Sequence, residues 1–273
     1  MIVDTHVHVT SDNLVKYPRV QDAYDWPTQT AESLLTSMKE VGIDRALLVQ
    51  PYFTYHFDNS YQVDAALAYP DRFLCVCVID QLAKNAPDVL TELVEKRGVR
   101  GVRIMHGKAH DGVLRDPRSI PVWERAGALG IPICLAARFD EIPDARVMIE
   151  RFPKVTVALE HMWAQNVGEP PYAHLQPMFE MAQFPNVRLK ITPNNSHAAR
   201  EGKSRPRDFY GTLVECFGAK RLMFGSNYPA HWDRCGMIKD RLPLMQEDLA
   251  FLSKEDRRWI FGETALSLWP SLR

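Results

Sequence analysis

Two kinds of segment alternate along this chain. Short apolar runs, too short for buried helices, recur between longer stretches whose apolar residues fall at helical spacing. The first run starts almost at once, Ile2-Val3-Asp4-Thr5-His6-Val7-His8-Val9. Regular alternation along a strand predicts Asp4, His6 and His8 on one face and Val3, Val7 and Val9 on the other. Thr30 then reads as a helix N-cap, Leu34, Leu35, Met38 and Val41 follow at helical spacing, and Gly42 is the stop. Further strands are predicted at 45–51, 72–80, 99–105, 131–136, 155–161, 186–192 and 221–229. Helices fall between them, at 60–69, around Val89, Leu90, Leu93 and Val94 with its end at Gly98, and at 121–129, 144–152, 172–183 and 207–217. Two more close the chain, at about 240–252 and 254–268. Residues 10–30 and 193–206 read as polar loops.

Eight short apolar strands, each separated from the next by a helix, imply parallel pairing with helices covering the sheet. Eight such units match a (β/α)8 TIM barrel, an α/β fold, expected as a single domain over 1–273. An open doubly wound sheet is disfavoured by the strand number and by the absence of a Gly-rich phosphate turn after strand one. No short repeat or composition break marks a second domain.

Composition narrows the function classes. With 273 residues, 46% apolar positions and a formal net charge of -1, the chain has no basic excess for nucleic acid and no charged tail. Cys75, Cys77, Cys134, Cys216 and Cys235 are odd in number and form no C-x-x-C pair, so they read as small buried hydrophobes in a reducing compartment. No secretory signal and no bilayer-length apolar run is visible, so the expectation is a cytoplasmic protein with no membrane partner. A small-molecule substrate is expected, and self-association into a homo-oligomer is left open.

A barrel of this type carries its chemistry at the C-terminal ends of its strands. There the sequence places His6 and His8, Gln50 and Tyr52, Arg103 and His106, Arg138, Glu160, His161 and Trp163, Lys190, and then Asn227, Tyr228 and His231. Two imidazoles at i and i+2 suit a divalent metal or a carbonyl that needs polarising. Arg103 and Lys190 are alternatively half-buried partners of Asp4 or Glu160, and Arg138 a solvated loop residue. His56, His110, His174 and His197 fall in loops and read as bystanders.

Taken together, D-T-H-V-H at 4–8, V-Q-P at 49–51, D-N at 58–59, P-D-R-F at 70–73 and G-V-R-G-V-R at 98–103 resemble a known family. The likeness continues through L-E-H-M at 159–162, P-N-V-R-L-K at 185–190 and R-L-M-F-G-S-N-Y-P at 221–229. The chain resembles the amidohydrolase superfamily in its amidohydrolase-related (family 2) branch. It is most similar to that branch's lactonases, which act on 2-pyrone-4,6-dicarboxylate, 4-sulfomuconolactone and sugar lactones.

The resemblance implies a hydrolase, in a catabolic pathway, that opens the lactone of a small carboxylated or hydroxylated substrate. His6, His8 and His161 would polarise the carbonyl, Arg103 and Arg138 would clamp a carboxylate, and Gln50, His106 and His231 would contact substrate. Tyr52, Trp163 and Tyr228, with a loop holding Tyr17, Tyr24 and Trp26, would shape the mouth.

Two ligand positions depart from the family's pattern: Leu135-Ala136-Ala137-Arg138 has no strand-five histidine, and Asn227 stands where the family has an aspartate. Asn227 cannot accept a proton, so either another group is the base, with His161, His231, Glu160 and Asp233 as candidates, or Asn227 orients water or the carbonyl without taking a proton, or the reaction is not a standard hydrolysis. The missing strand-five histidine favours a site with no cofactor. The alternative is one divalent metal, Zn, on His6, His8 and His161, in a decarboxylase, hydratase or hydrolase of an aromatic or related carboxylic acid. A third reading is a small-molecule-binding barrel that has lost catalysis.

Overall fold

The computed structural model describes residues 1–23, 27–105, 112–161, 167–229 and 236–273. Eight strands pair in parallel in chain order: β1 (Val3–Val7), β2 (Arg45–Val49), β3 (Phe73–Val78), β4 (Val102–Met105), β5 (Ile133–Ala136), β6 (Val157–Leu159), β7 (Val187–Ile191) and β8 (Leu222–Phe224). A parallel bridge between Val7 and Tyr228 brings the last strand back to the first. Asn227 N–H donates to His6 O and His8 N–H to Tyr228 O, both at 2.8 Å, and Thr5 Oγ1 donates to Phe224 O at 2.7 Å. The barrel predicted from the β/α rhythm is therefore present.

The local signals explain most elements. The helix Ala31–Val41 starts where the Thr30 side chain accepts Ser33 N–H and stops at Gly42, whose φ of 78° favours glycine. The stretch 193–206, expected as loop, departs from that reading: Pro193–Glu201 is a helix. Its polar run, Asn194-Asn195-Ser196, hides the element, but Pro193 opens it, Thr192 and Asn195 cap one another, and Ala198 and Ala199 are buried.

The barrel interior is layered. Val3, Leu47, Val49, Leu74, Val76, Cys134, Ala158 and Met223 form an apolar inner layer. Ala265, Leu266, Trp269 and Leu272 pack against it, and Trp269 Nε1–H donates to Arg100 O at 2.8 Å. Towards the other end the inner residues turn polar: Arg103, Glu160 and Lys190 sit between outward-facing Val102, Ile104, Leu159, Leu189 and Ile191.

The first strand does not alternate regularly. Asp4 aligns with Ala46 but Val7 with Leu48, so three steps along β1 match two along β2. One extra residue reverses the parity of everything after it. Val3 belongs to the inner layer, whereas Val7 and Val9 pack in the outer cluster against the helices. The expectation of a single face for Val3, Val7 and Val9 is corrected accordingly, and Asp4 does not share a face with His6 and His8. Its Oδ1 instead accepts N–H from His6 at 3.0 Å and from Ser226 at 2.8 Å, tying β1 to β8.

Gly225 permits that close approach, because a Cβ there would lie 2.8 Å from His6 Cβ. Gly225→Ala should destabilise the fold by about 1–3 kcal/mol through overpacking. Urea unfolding measures it, and an unchanged midpoint would mean that β1 and β8 have slack to separate.

Candidate active site

The site is assembled around Glu160, which follows β6 and is fully buried. Arg103 Nε donates to its Oε2 at 2.7 Å, and Lys190 Nζ donates to its Oε1 at 3.1 Å. Lys190 also reaches Cys134 Sγ at 3.4 Å. Burial raises the Glu160 carboxyl, but Arg103, His6 and Lys190 outweigh it and hold the group well below the usual carboxylate range. Glu160 is therefore an anion clamped by two cations, a poor proton acceptor, and the group of three carries a net charge of one positive unit.

The histidines stand above it. Burial pushes the His8 imidazole down to about 3 and the His161 imidazole down to about 4. Burial also holds His6 well below its ordinary range, against the upward pull of Glu160. All three are neutral at pH 7. His8 Nδ1 lies 2.6 Å from Val49 O, and a carbonyl only accepts, so His8 Nδ1 carries the hydrogen and its Nε2 is a lone pair. That lone pair faces His6 Nε2 at 3.2 Å. His6 Nδ1 in turn lies 3.2 Å from Glu160 Oε1, out of line for a hydrogen bond.

A neutral His6 has a single N–H. Directed at His8, it leaves a lone pair against the Glu160 carboxylate; directed at Glu160, it leaves two lone pairs facing each other. A cation between the two Nε2 atoms removes the conflict. Two nitrogens bound to a tetrahedral zinc at roughly 2.0–2.1 Å lie about 3.3 Å apart, close to the spacing of this pair. The His161 ring stands 4.3 Å from that of His6 at 70°, and its buried Nδ1 has no hydrogen-bond partner among the described residues. Ligand atoms of His6, Glu160 and His161 all lie within 4.8 Å of one another. The donor set fits a divalent metal: imidazole nitrogens converge, with a carbonyl and a carboxylate behind two of them.

Two residues expected in the site have an unusual backbone conformation. His161 has φ of 54° and Asn227 φ of 56°, the left-handed region that non-glycine residues rarely enter and that clusters at functional sites. Burial raises the Asp4 carboxyl to about 6, against hydrogen bonds from Ser226 and His6 and the charge of Arg241. Asp4 braces the two strands and is not among the converging ligand groups.

Several expected residues do join the cluster. Arg103 is inward and 11% exposed, and its two Nη groups have no hydrogen bond to any described residue. Tyr52 forms an apolar lip with Val78, Met105 and Ala136. Others serve elsewhere. Gln50, on the face opposite to inner-layer Val49, donates to His56 O and Asp58 O, both at 2.8 Å. The Tyr228 hydroxyl reaches Met237 Sδ at 3.8 Å and its ring lies under Arg241. Arg138 pairs with Asp140 at 3.1 Å and with Glu141 at 3.5 Å on the turn after β5. Tyr17 donates to Asp64 and packs on Tyr61. His106, His110, Trp163 and His231 lie outside the described residues, as do Tyr24, Trp26, Asp233 and Cys235.

The sequence reading missed Arg241. It is 1% exposed and donates to Ser226 O at 2.9 Å and Gly236 O at 2.9 Å. A signal was present: Ile238, Arg241, Leu242 and Met245 share one helical stripe, and a cation on an apolar stripe is a buried cation.

The profile of the amidohydrolase family matches residues 3–270. The chain belongs to the amidohydrolase family. This amidohydrolase is 24% identical over 227 residues to L-fucono-1,5-lactonase of Burkholderia ambifaria, covering 77% of the chain and 76% of that relative. It is 26% identical over 220 residues to 4-sulfomuconolactone hydrolase of Rhizobium radiobacter, covering 70% and 72%. Its fold matches the structure of a probable 2-pyrone-4,6-dicarboxylic acid hydrolase of Acinetobacter baumannii with citric acid bound. That match has a TM-score of 0.80 at 17% identity and covers 98% and 99% of the two chains. Among the described residues, no helix of the amidohydrolase is long and apolar enough to cross a membrane.

The buried histidines set a pH dependence. As pH falls below 6.5 the unfolded chain takes up protons at His6, His8 and His161 that the folded chain does not, so stability present above 6.5 is lost towards pH 4. Asp4 acts oppositely: its folded value, about 6, exceeds its ordinary 3.8, so it stabilises below 3.8 and that contribution fades as pH rises through 6. Three groups oppose one. EDTA-treated protein should lose on the order of 1–3 kcal/mol of stability per pH unit between 6 and 4. Urea midpoints across that range measure it; a rising midpoint on acidification would contradict the neutral assignment.

Proposed function

We propose that this amidohydrolase opens the lactone ring of a small, carboxylate-bearing substrate. The observation that carries the reading is the positive charge at the barrel mouth, where Arg103 and Lys190 share the single carboxylate of Glu160 among the described residues. Arg103 offers its Nη groups there, beside three neutral imidazoles and an apolar lip. An anionic ligand balances that charge, and a guanidinium fork suits a carboxylate bidentately. Two relatives that align over about three quarters of the chain carry lactone-hydrolysing names, which supports the ester rather than another bond.

His6 and His8 would hold a divalent metal such as zinc through Nε2, with His161 as third nitrogen. The sequence favoured a site without cofactor; the conflict of lone pairs between His6 and His8 favours the metal. When bound, such an ion polarises a carbonyl and lowers the pKa of bound water to about 7. The chain's own groups do the rest. Val49 O fixes the tautomer of His8, and Glu160 orients His6. Arg103 anchors the substrate carboxylate. The Asn227 amide orients the attacking water by hydrogen bonding and takes no proton. Water oxygen bonds to the lactone carbonyl carbon, the ring C–O bond breaks, and the proton that the water gives up passes to the ring oxygen, which leaves as a hydroxyl. The product is an open-chain hydroxy acid.

Elemental analysis of purified protein should find about one zinc-type ion per chain, and EDTA should abolish turnover. On a panel of carboxylated and neutral lactones, Arg103→Ala should raise KM for the carboxylated ones by roughly 10²-fold. His6→Ala should lower kcat by at least that factor; full activity in His6→Ala rejects the site. Turnover of hydroxybenzoates in place of lactones would mark a decarboxylase, and ligand binding without turnover of either would mark a binding barrel.

A further inference from the structure

The helix Pro193–Glu201 does more than cover the sheet. Its third residue, Asn195, is 1% exposed and commits both ends of its amide. Oδ1 accepts Thr192 N–H at 2.8 Å, the usual exchange of a helix start. Nδ2 points the other way and donates to His161 O at 3.1 Å. Capping needs only the oxygen, so the second bond has a separate consequence. It holds the peptide leaving His161, the residue whose φ of 54° turns its ring towards His6.

The support behind Asn195 is rigid. Ser196 Oγ and Tyr210 Oη lie 2.8 Å apart, both buried, and Tyr210 is within 3.5 Å of Thr192 O. Arg200 forks onto Asp248 at 2.6 and 3.0 Å, fixing the far end of the same helix to Ile238–Asp248. A side chain anchored this way fixes the position of a carbonyl it bonds, and small displacements of a reacting group have large effects on rate.

We infer that Asn195 is a positioning residue: through His161 O it holds the His161 imidazole in its left-handed, His6-facing orientation. The kinetic part of this inference rests on the lactone-hydrolase reading; the orientation of the ring does not. Asn195→Asp separates the two bonds, because a carboxylate still accepts Thr192 N–H and is favoured in the first turn of a helix. It has no N–H for His161 O and sets an oxygen against it.

In protein labelled with 15N-histidine, the His161 ring resonances, assigned by their loss in His161→Gln, should shift in Asn195→Asp while those of His56 stay in place. Burying a carboxylate that no cation meets should lower the melting temperature, so the resonances are read in protein that is still folded. On whichever lactone the wild type turns over, kcat should fall about tenfold with KM within twofold. Unshifted His161 resonances overturn the inference, whatever the activity. Absence of wild-type turnover on every lactone overturns the functional reading alone. Should Asn195→Asp fail to fold, Asn195→Ser keeps a capping oxygen too short to reach His161 and carries the same expectations.

Discussion

A carboxylate with no access to water is stable inside a barrel only when cations meet it, and Glu160 is met by two. Removing such an ion from water costs several kcal/mol, and taking away one partner of a buried pair costs about 3–5 kcal/mol. Arg103 on β4, Lys190 on β7 and Glu160 beyond β6 therefore fix one another's positions. His6 on β1 is set by the same carboxylate. Four strands that never pair all together are held in one geometry by a single anion. The pairing also leaves these three groups with one surplus positive charge.

Much of the fold was legible because a parallel barrel writes itself simply. Strands buried on both faces become short apolar runs, and Gly42, Gly98 and Gly130 close helices just where those runs begin. What stayed hidden had physical causes. The helix Pro193–Glu201 has a polar inner surface, with Asn195 and Ser196 buried by hydrogen bonding and not by apolar contact. Burial of that kind leaves no hydrophobic period to read. Arg241 is buried on an apolar stripe, where its guanidinium holds the carbonyls of the loop after β8.

The candidate site was legible at its centre and less so at its edge. His6, His8, His161 and Arg103 converge because each follows or ends an inward-facing strand position, a property of register. Gln50 and Tyr228 also end strands, yet their side chains brace the loops that follow. Position along a strand is visible in sequence; which face it presents depends on neighbours far along the chain. Asn227 combines both cases: its place was readable, but its φ of 56° and the bond from its N–H to His6 O were not.

The extra residue in β1 has a consequence for how such a protein can change. Side-chain direction along a strand behaves like a reading frame of two. A single inserted or deleted residue shifts every later position to the other phase, as a frameshift does in a message. The irregularity between Asp4 and Val7 is such a shift, already in place, and it converts a strand whose valines would have faced inward into one that delivers two imidazoles. In this barrel the presence or absence of one residue, with no substitution anywhere, sets whether the interior carries chemistry or packing.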